Sequence, residues 1–178
     1  MNSFAIVYKN KDERLRGMRE KILKILDKNS RITPEDLAVM LDLDVETVKK
    51  EIKAMEEERV ICGYPTLINW DKTENERVTA LIEVKVTPQR GLGFDKIAER
   101  IYKFDQVQSV SLISGSFDLC VMIEGKSMRE VASFVSEKLA PMESVLSTST
   151  NIILKKYKEH GMELTDEGNK DERMLITP

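Results

Sequence analysis

Residues 33–61 read TPEDLAVMLDLDVETVKKEIKAMEEERVI, and this stretch predicts two helices joined by a tight turn. Thr33 suits the N-cap position of the first helix, and Pro34 suits its first turn. Asp44 can cap the second helix, in which apolar residues recur at three- and four-residue steps from Val45 to Met55. A short helix, a tight turn and a longer helix with a polar outer face are typical of a helix-turn-helix DNA reader, although any αα-hairpin in a helical core would share this pattern.

The outer face of the second helix carries lysines that can reach phosphates. Thr47, near the start of the helix, is placed to contact a base edge or a phosphate. The alternative is a solvated helix face, and the acidic run at residues 56–58 fits that alternative better, because DNA repels acids. The candidate DNA-binding residues are Thr33, Glu46, Thr47, Lys49, Lys50 and Lys53.

A preceding helix is predicted over residues 18–28, with an apolar stripe from Met18 to Leu26 and a left-handed stop at Asn29. Three helices sharing one apolar centre are the minimum that a helix-turn-helix domain needs. Residues 1–17 are predicted to form an N-terminal arm, with a short strand over residues 4–8. This arm is either flexible or a basic segment that contacts DNA.

Charge and hydropathy restrict the class of protein. The net charge of the 178-residue chain is −3, and residues 1–60 balance 13 basic against 13 acidic side chains. Indiscriminate DNA binding should therefore be weak, so specificity would have to come from base contacts and oligomerisation. No apolar run approaches the roughly 18 residues that a membrane span needs, and the start of the chain does not resemble a signal peptide, which together predict a cytoplasmic protein without membrane contact.

From residue 78 onward the pattern changes to alternating strands and helices, in the order β-α-β-β-α-β of the ferredoxin-like fold. Ser127 and Glu130 form a capping box at the start of the second of these helices. The helices would cover one face of an antiparallel sheet, and the other face would need water or a partner. Strands are predicted over residues 78–87, 107–113, 119–123 and 146–158, and a β-prone connecting segment over residues 62–70.

We therefore predict an α+β protein with two domains. The predicted divisions are an N-terminal arm (1–17), a helix-turn-helix domain (18–64), a linker (65–77), a ferredoxin-like domain (78–158) and a C-terminal tail (159–178).

With both halves in view, the chain resembles the Lrp/AsnC family of bacterial and archaeal transcription regulators. The resemblance rests on the order and spacing of five segments. These are ILKIL, NSRITPEDLA, VICGY, GSFD in place of a Gly-x-Tyr/Phe-Asp turn, and VLSTSTNIILKKYK.

The resemblance implies a winged helix-turn-helix followed by a RAM-type ferredoxin-like domain. It also implies binding to promoter DNA, homodimers that form through paired sheets, and assembly up to octamers. The effector would be an amino acid or a related small metabolite held at a subunit interface. Carried over by position, the effector-binding residues are Ser114, Gly115, Ser116, Phe117 and Asp118, with Thr148 and Thr150 as further contributors.

This chemistry suits a zwitterion, because a glycine-containing turn exposes backbone N–H groups to a carboxylate and Asp118 could receive an ammonium group. The alternative is a tight hairpin turn in which Asp118 caps its own backbone.

Two departures from the family pattern bear on DNA binding. Glu51 stands where the family usually has an arginine, and Arg59 stands where it has a glycine. The glutamates favour an alternative function, an oligomeric metabolite-binding module with little or no DNA affinity.

An enzyme is the least favoured class, because His160 is the only histidine and no recognised catalytic motif occurs. No cofactor or metal site is predicted.

Overall fold

The computed structural model describes residues 3–75, 77–87 and 93–165, with side chains described from Leu15 onward. The chain forms two compact units, Met1–Thr66 and Leu67–Pro178, called here the N-terminal and C-terminal units. No helix in the described ranges combines the length and apolar character that a membrane span requires.

The N-terminal unit contains three helices, α1 (Ser3–Lys28), α2 (Pro34–Leu41) and α3 (Val45–Glu57). The predicted helix-turn-helix is therefore confirmed, but the predicted strand over residues 4–8 is wrong because α1 begins at Ser3. The charged residues that precede residue 17 are mostly strong helix formers, and a helix extends more easily than it nucleates. The candidate basic side chains at positions 9, 11 and 14 lie outside the described side chains.

Reciprocal hydrogen bonds fix the start of α2, because the Asp36 N–H donates to Thr33 Oγ1 at 3.1 Å and the Thr33 hydroxyl donates to Asp36 Oδ2 at 2.7 Å. At the start of α3, the Thr47 N–H donates to Asp44 Oδ2 at 3.0 Å. Asp42 makes the turn between the helices with a left-handed φ of 53°. The three helices enclose a core of Ile22, Leu26, Leu37, Ala38, Val48 and Met55.

Helix α3 ends in a Schellman motif with an arginine at the position that usually favours glycine. Arg59 has a φ of 61°, its N–H donates to the Glu56 carbonyl at 3.1 Å, and the Val60 N–H donates to the Met55 carbonyl at 2.9 Å. A side chain with a Cβ is strained in this left-handed conformation.

Arg59→Gly is therefore expected to raise the free energy of unfolding of the N-terminal unit by about 1 kcal/mol, measured by chemical denaturation. Arg59→Ala is the matched control, because it removes the same side chain but keeps the Cβ. Equal effects of the two variants would contradict a conformational origin.

The segment after α3 differs from the prediction, because described residues 58–69 contain no strand. A β-prone segment needs a partner strand, and none of the described residues pairs with it. Residues 67–77 of the predicted linker form the start of the C-terminal unit. Its Trp70–Lys72 segment is a 3₁₀ turn, and the Arg77 guanidinium stacks 3.7 Å from the Trp70 ring centroid and pairs with Glu124 at 3.0 Å.

The C-terminal unit has the predicted ferredoxin-like order, which confirms the α+β fold class. Its four strands form one antiparallel sheet in the order β2-β3-β1-β4. The elements are β1 (Val78–Val86), α4 (Asp95–Tyr102), β2 (Val107–Leu112), β3 (Leu119–Gly125), α5 (Met128–Phe134, continued by a π-helical turn over Val135–Leu139) and β4 (Val145–Ile153).

The predicted last strand is shorter than expected and is followed by a small hairpin of β5 (Lys158–Glu159) and β6 (Met162–Glu163). His160 and Gly161 connect the two strands, and both have positive φ values. Tight hairpins favour such values at both central residues, so the chain can reverse between β5 and β6.

One face of the sheet packs against the helices and carries a buried core that includes Ile82, Val84, Leu119 and Val121. The opposite face carries Leu81, Glu83 and Lys85 of β1, which are partly or fully exposed.

Candidate DNA-binding and effector sites

The outer face of α3 is available to a partner. Glu46, Thr47, Lys49, Lys50 and Lys53 are all exposed, and none of them packs into the core of the N-terminal unit. Thr33, at the start of α2, is also exposed, and its hydroxyl is engaged in the helix cap.

The three lysines differ in how firmly acidic neighbours hold them. Lys49 Nζ lies 2.9 Å from Glu35 Oε1 and 3.7 Å from Glu46 Oε1. Lys53 Nζ is 3.9 Å from Glu57. The Glu35 carboxylate raises the pKa of Lys49, and Lys49 in turn lowers that of Glu35. Within the described part of the chain, Lys50 forms no ion pair.

Glu51 does not belong to this face. Its side chain is 12% exposed and accepts a hydrogen bond from Arg19 Nε of α1 at 2.7 Å. The interpretation that Glu51 weakens a DNA-facing surface is therefore wrong. Position 51 follows Val48 by three residues and precedes Met55 by four, so it continues the inner stripe of the helix.

The acidic run after Glu51 has partners of its own. Arg19 also binds Glu58 through two hydrogen bonds of 2.7 and 3.0 Å, which lower the pKa of Glu58. The Tyr64 hydroxyl donates to Glu56 at 2.7 Å, and desolvation together with this contact raises the pKa of Tyr64 to about 12. Glu57 lies next to Lys53. Each of the three glutamates therefore has its own local partner.

The candidate effector turn connects β2 to β3 and is attached to β1 through Asp118. The Asp118 N–H donates to the Val84 carbonyl at 3.1 Å, and the Val86 N–H donates to Asp118 Oδ2 at 2.8 Å. The second bond lies at a register shift of β1 between Lys85 and Val86. One carboxylate oxygen of Asp118 thus caps a strand irregularity, while Ser114, Gly115 and Ser116 are exposed and Phe117 is half-buried.

The two candidate threonines lie on β4, beyond β1 from this turn. Thr148 pairs with Val84 and Thr150 pairs with Ile82. Two strand spacings, about 10 Å, separate β4 from β3, so the described chain does not bring the threonines to the turn. Thr150 instead lines an apolar groove of about 350 Å³ between β4 and α5, with Met128, Val131, Ala132, Val135, Ser136 and Ile152.

Sequence reasoning missed the contributions of Arg19 and Glu35. Arg19 lies 32 residues from Glu51 in the sequence, and no local pattern links them. Glu35 lies in the first turn of α2, where acids are common because they interact favourably with the helix dipole. Its position in the sequence therefore does not indicate a contact with Lys49. In the described residues no group of three or more His, Cys, Asp or Glu side chains is placed to hold a metal ion.

Two family models match the two units. The model described as winged helix-turn-helix DNA-binding matches residues 15–61, and the Lrp/AsnC ligand binding domain matches residues 79–163.

Curated relatives agree with both matches. The HTH-type transcriptional regulator YugG of Bacillus subtilis is 51% identical over 158 residues, covering 88% of this chain and 95% of that protein. The HTH-type transcriptional regulator LrpA of Pyrococcus horikoshii is 30% identical over 137 residues, covering 77% and 94%.

Solved structures share the fold. Escherichia coli AsnC superposes with a TM-score of 0.61 at 17% identity, over 80% of this chain and 94% of that one. A transcriptional regulator from Neisseria meningitidis, solved as an L-Met complex, has a TM-score of 0.64 at 21% identity, over 80% and 91%. The two domain matches and the identity to YugG show that the chain belongs to the Lrp/AsnC family of transcriptional regulators, with a helix-turn-helix DNA-binding domain followed by a ligand-binding domain.

Proposed function

We propose that this regulator reads promoter DNA with the outer face of α3 and senses an amino acid or a related small metabolite through its C-terminal unit, in the cytoplasm. The observation that carries the DNA-binding part is the division of charge on α3. Its lysines face outward, whereas Glu51 is turned toward Arg19. The alternative function, a metabolite-binding module without DNA affinity, was favoured partly because Glu51 would repel DNA. The pairing of Glu51 with Arg19 removes that reason.

The proposed DNA-binding residues fall into groups according to the length and position of their side chains. Lys50 and Lys53 are long and exposed, so they suit phosphates, and Lys49 can join them if it leaves Glu35. Thr33 and Thr47 lie at the starts of α2 and α3, where a backbone N–H or a hydroxyl can approach a phosphate. Glu46 stands at the end of α3 that would enter the major groove first.

The effector part rests on the turn at residues 114–118. Gly115 has no positive φ, and an added Cβ would meet only Ile113 Cγ2 at an ordinary 3.7 Å. The described chain therefore gives no internal reason for a glycine here, whereas close approach by a ligand or a second chain would require one. The neighbour solved with L-Met is an example of an amino acid bound on this fold.

We also propose that the site is completed by a second copy of the chain. The effector turn and the threonines Thr148 and Thr150 lie on opposite sides of β1, and a partner could bring one chain's turn to the other chain's β4. The sheet face bearing Leu81 and Glu83 is partly exposed and offers a surface for a homodimer or a higher oligomer, up to an octamer. Thr148 and Thr150 lie on the other face of the sheet, so the partner's turn would reach them past β4, which is an edge strand.

The test is a mobility-shift series on the DNA upstream of the protein's own gene, with and without each amino acid, alongside thermal-shift measurements of ligand binding. We expect the protein to retard the DNA fragment at low salt, and the retardation to weaken steeply as the salt concentration rises. The double variant Lys49→Glu/Lys53→Glu should lose DNA binding and keep its ligand-induced thermal shift. No retardation at low salt under any condition would overturn the DNA-binding part, and no thermal shift with any amino acid would overturn the effector part.

Asp118→Asn separates the structural role of this residue from its effector role. The amide oxygen can still accept the Val86 N–H, but the negative charge that would bind an ammonium group is gone. We expect a nearly unchanged unfolding midpoint and a large loss of the amino-acid-induced thermal shift.

Asp118→Ala is the companion variant, because it removes the hydrogen bond as well. It should lower the free energy of unfolding by about 1–3 kcal/mol. A full ligand response in Asp118→Asn would show that Asp118 only caps the strand.

A further inference from the structure

We propose that Glu46 is a specificity-determining residue that accepts a hydrogen bond from the N4 amino group of a cytosine, so that the protein selects half-sites with cytosine at that position. This inference rests on the proposed use of α3 as the recognition helix, and it deepens that proposal by naming a base.

Position is the first argument. Glu46 is the second residue of α3 after its N-cap Asp44, and recognition helices contact base edges with their N-terminal residues. Its side chain is 83% exposed, so it projects freely from the helix. The adjacent Thr47 is tied back to the cap, with its N–H and its hydroxyl 3.0 and 3.3 Å from Asp44 Oδ2.

Charge is the second argument. Among the described residues, the cation paired with Glu46 is Lys49 at 3.7 Å, and Lys49 is held more closely by Glu35 at 2.9 Å. The Glu46 carboxylate would therefore enter the groove without a firm partner. Beside phosphates, an unpaired and partly desolvated carboxylate is unfavourable unless the DNA supplies a donor.

The chemistry of base edges then selects the donor. In the major groove, cytosine presents the N4 amino group as a donor, whereas guanine presents N7 and O6 and thymine presents O4, which are all acceptors. Adenine offers a donor next to an acceptor, so a carboxylate gains less from it. Glu46 thus favours cytosine by attraction and disfavours guanine and thymine by repulsion.

Lys50 can offset the repulsion between Glu46 and the DNA phosphates. It lies one helical turn after Glu46, on the same side of α3, and forms no ion pair with the described residues. Its ammonium group can bind a phosphate or a guanine near the cytosine, which offsets the repulsion that an acid on this face would otherwise cause.

The test is selection of binding sites from a randomised DNA pool by the full-length protein, repeated with Glu46→Gln. We expect the unaltered protein to enrich cytosine at one position of each half-site. In Glu46→Gln, the enrichment of cytosine at that position should fall by about tenfold, and adenine should be enriched instead because glutamine recognises it. It should also bind unrelated DNA more tightly, because a negative charge has been removed.

Glu57→Gln is the matched control, because it makes the same charge change at the other end of α3 and should keep the cytosine preference. Thermal unfolding of both variants checks that they fold. If the unaltered protein enriches a site but Glu46→Gln enriches the same bases, the inference fails and the proposed function stands. If the unaltered protein enriches no sequence, both fail.

Discussion

Lys50→Glu is expected to weaken binding to the target DNA by roughly 10- to 100-fold, the largest effect of any single change on the outer face of α3. Lys49 and Lys53 have acidic neighbours at 2.9 and 3.9 Å, so their contacts with DNA must compete with ion pairs inside the protein. Lys50 has no such competitor among the described residues. Reversing its charge removes an attraction and adds a repulsion at the same place.

The measurement is the dissociation constant at several salt concentrations. Loss of one phosphate contact should reduce the slope of log affinity against log salt by about 1. Lys96→Glu is the matched control, because Lys96 is an exposed lysine of α4 in the ligand-binding unit and undergoes the same charge change. Equal weakening by both variants would reveal only a long-range effect of net charge, and an unchanged affinity in Lys50→Glu would remove this residue from the interface.

Local signals predicted the elements whose ends are set by near neighbours in the sequence. Thr33 and Asp44 cap α2 and α3 as expected. Before α5, Ser127 Oγ accepts the Glu130 N–H at 3.2 Å as the capping box predicts, and Glu130 accepts the N–H of the preceding residue, Lys126, at 2.7 Å. These contacts span four residues or fewer, so the spacing of residue types was sufficient to predict them.

Interactions between distant residues could not be predicted in this way. The inward orientation of Glu51 depends on Arg19, and the position of the effector turn depends on a bond between Asp118 and Val86, which are 32 residues apart. Residue type alone gives the wrong interpretation of Glu51, because the charge of an acid on a recognition helix does not show which way its side chain faces. Glu51 pairs with Arg19 of α1, so it holds α3 against α1 and does not face DNA.

The β-prone segment at residues 62–70 shows a different kind of limit. Its residue types favour a strand, but a strand forms only beside a partner, and the described chain supplies none. The arrangement of the candidate effector residues likewise depends on contacts that the sequence does not reveal. Ser114–Asp118 and the two threonines of β4 were grouped by resemblance, and the described chain separates them by the width of β1.

Leu37→Ala is expected to produce the largest stability effect and to test whether the two units are energetically independent. Leu37 is fully buried in the core of the N-terminal unit, which contains only six buried apolar residues in the described part of the chain. Truncating such a leucine should lower the free energy of unfolding by about 2–5 kcal/mol. A helical unit of this size has little stability to spare, so the variant should lose DNA binding near physiological temperature.

The C-terminal unit should survive this change, because Ile82, Ile101 and Leu119 belong to a separate core. Calorimetry should therefore show the transition of the N-terminal unit shifted to lower temperature, while the ligand-induced shift of the C-terminal unit is retained. Val39→Ala is the matched control on the same helix, since Val39 is 83% exposed and should change little. A single transition that moves as a whole in Leu37→Ala would mean that the two cores unfold together, and the C-terminal unit would then depend on the helix-turn-helix for its stability.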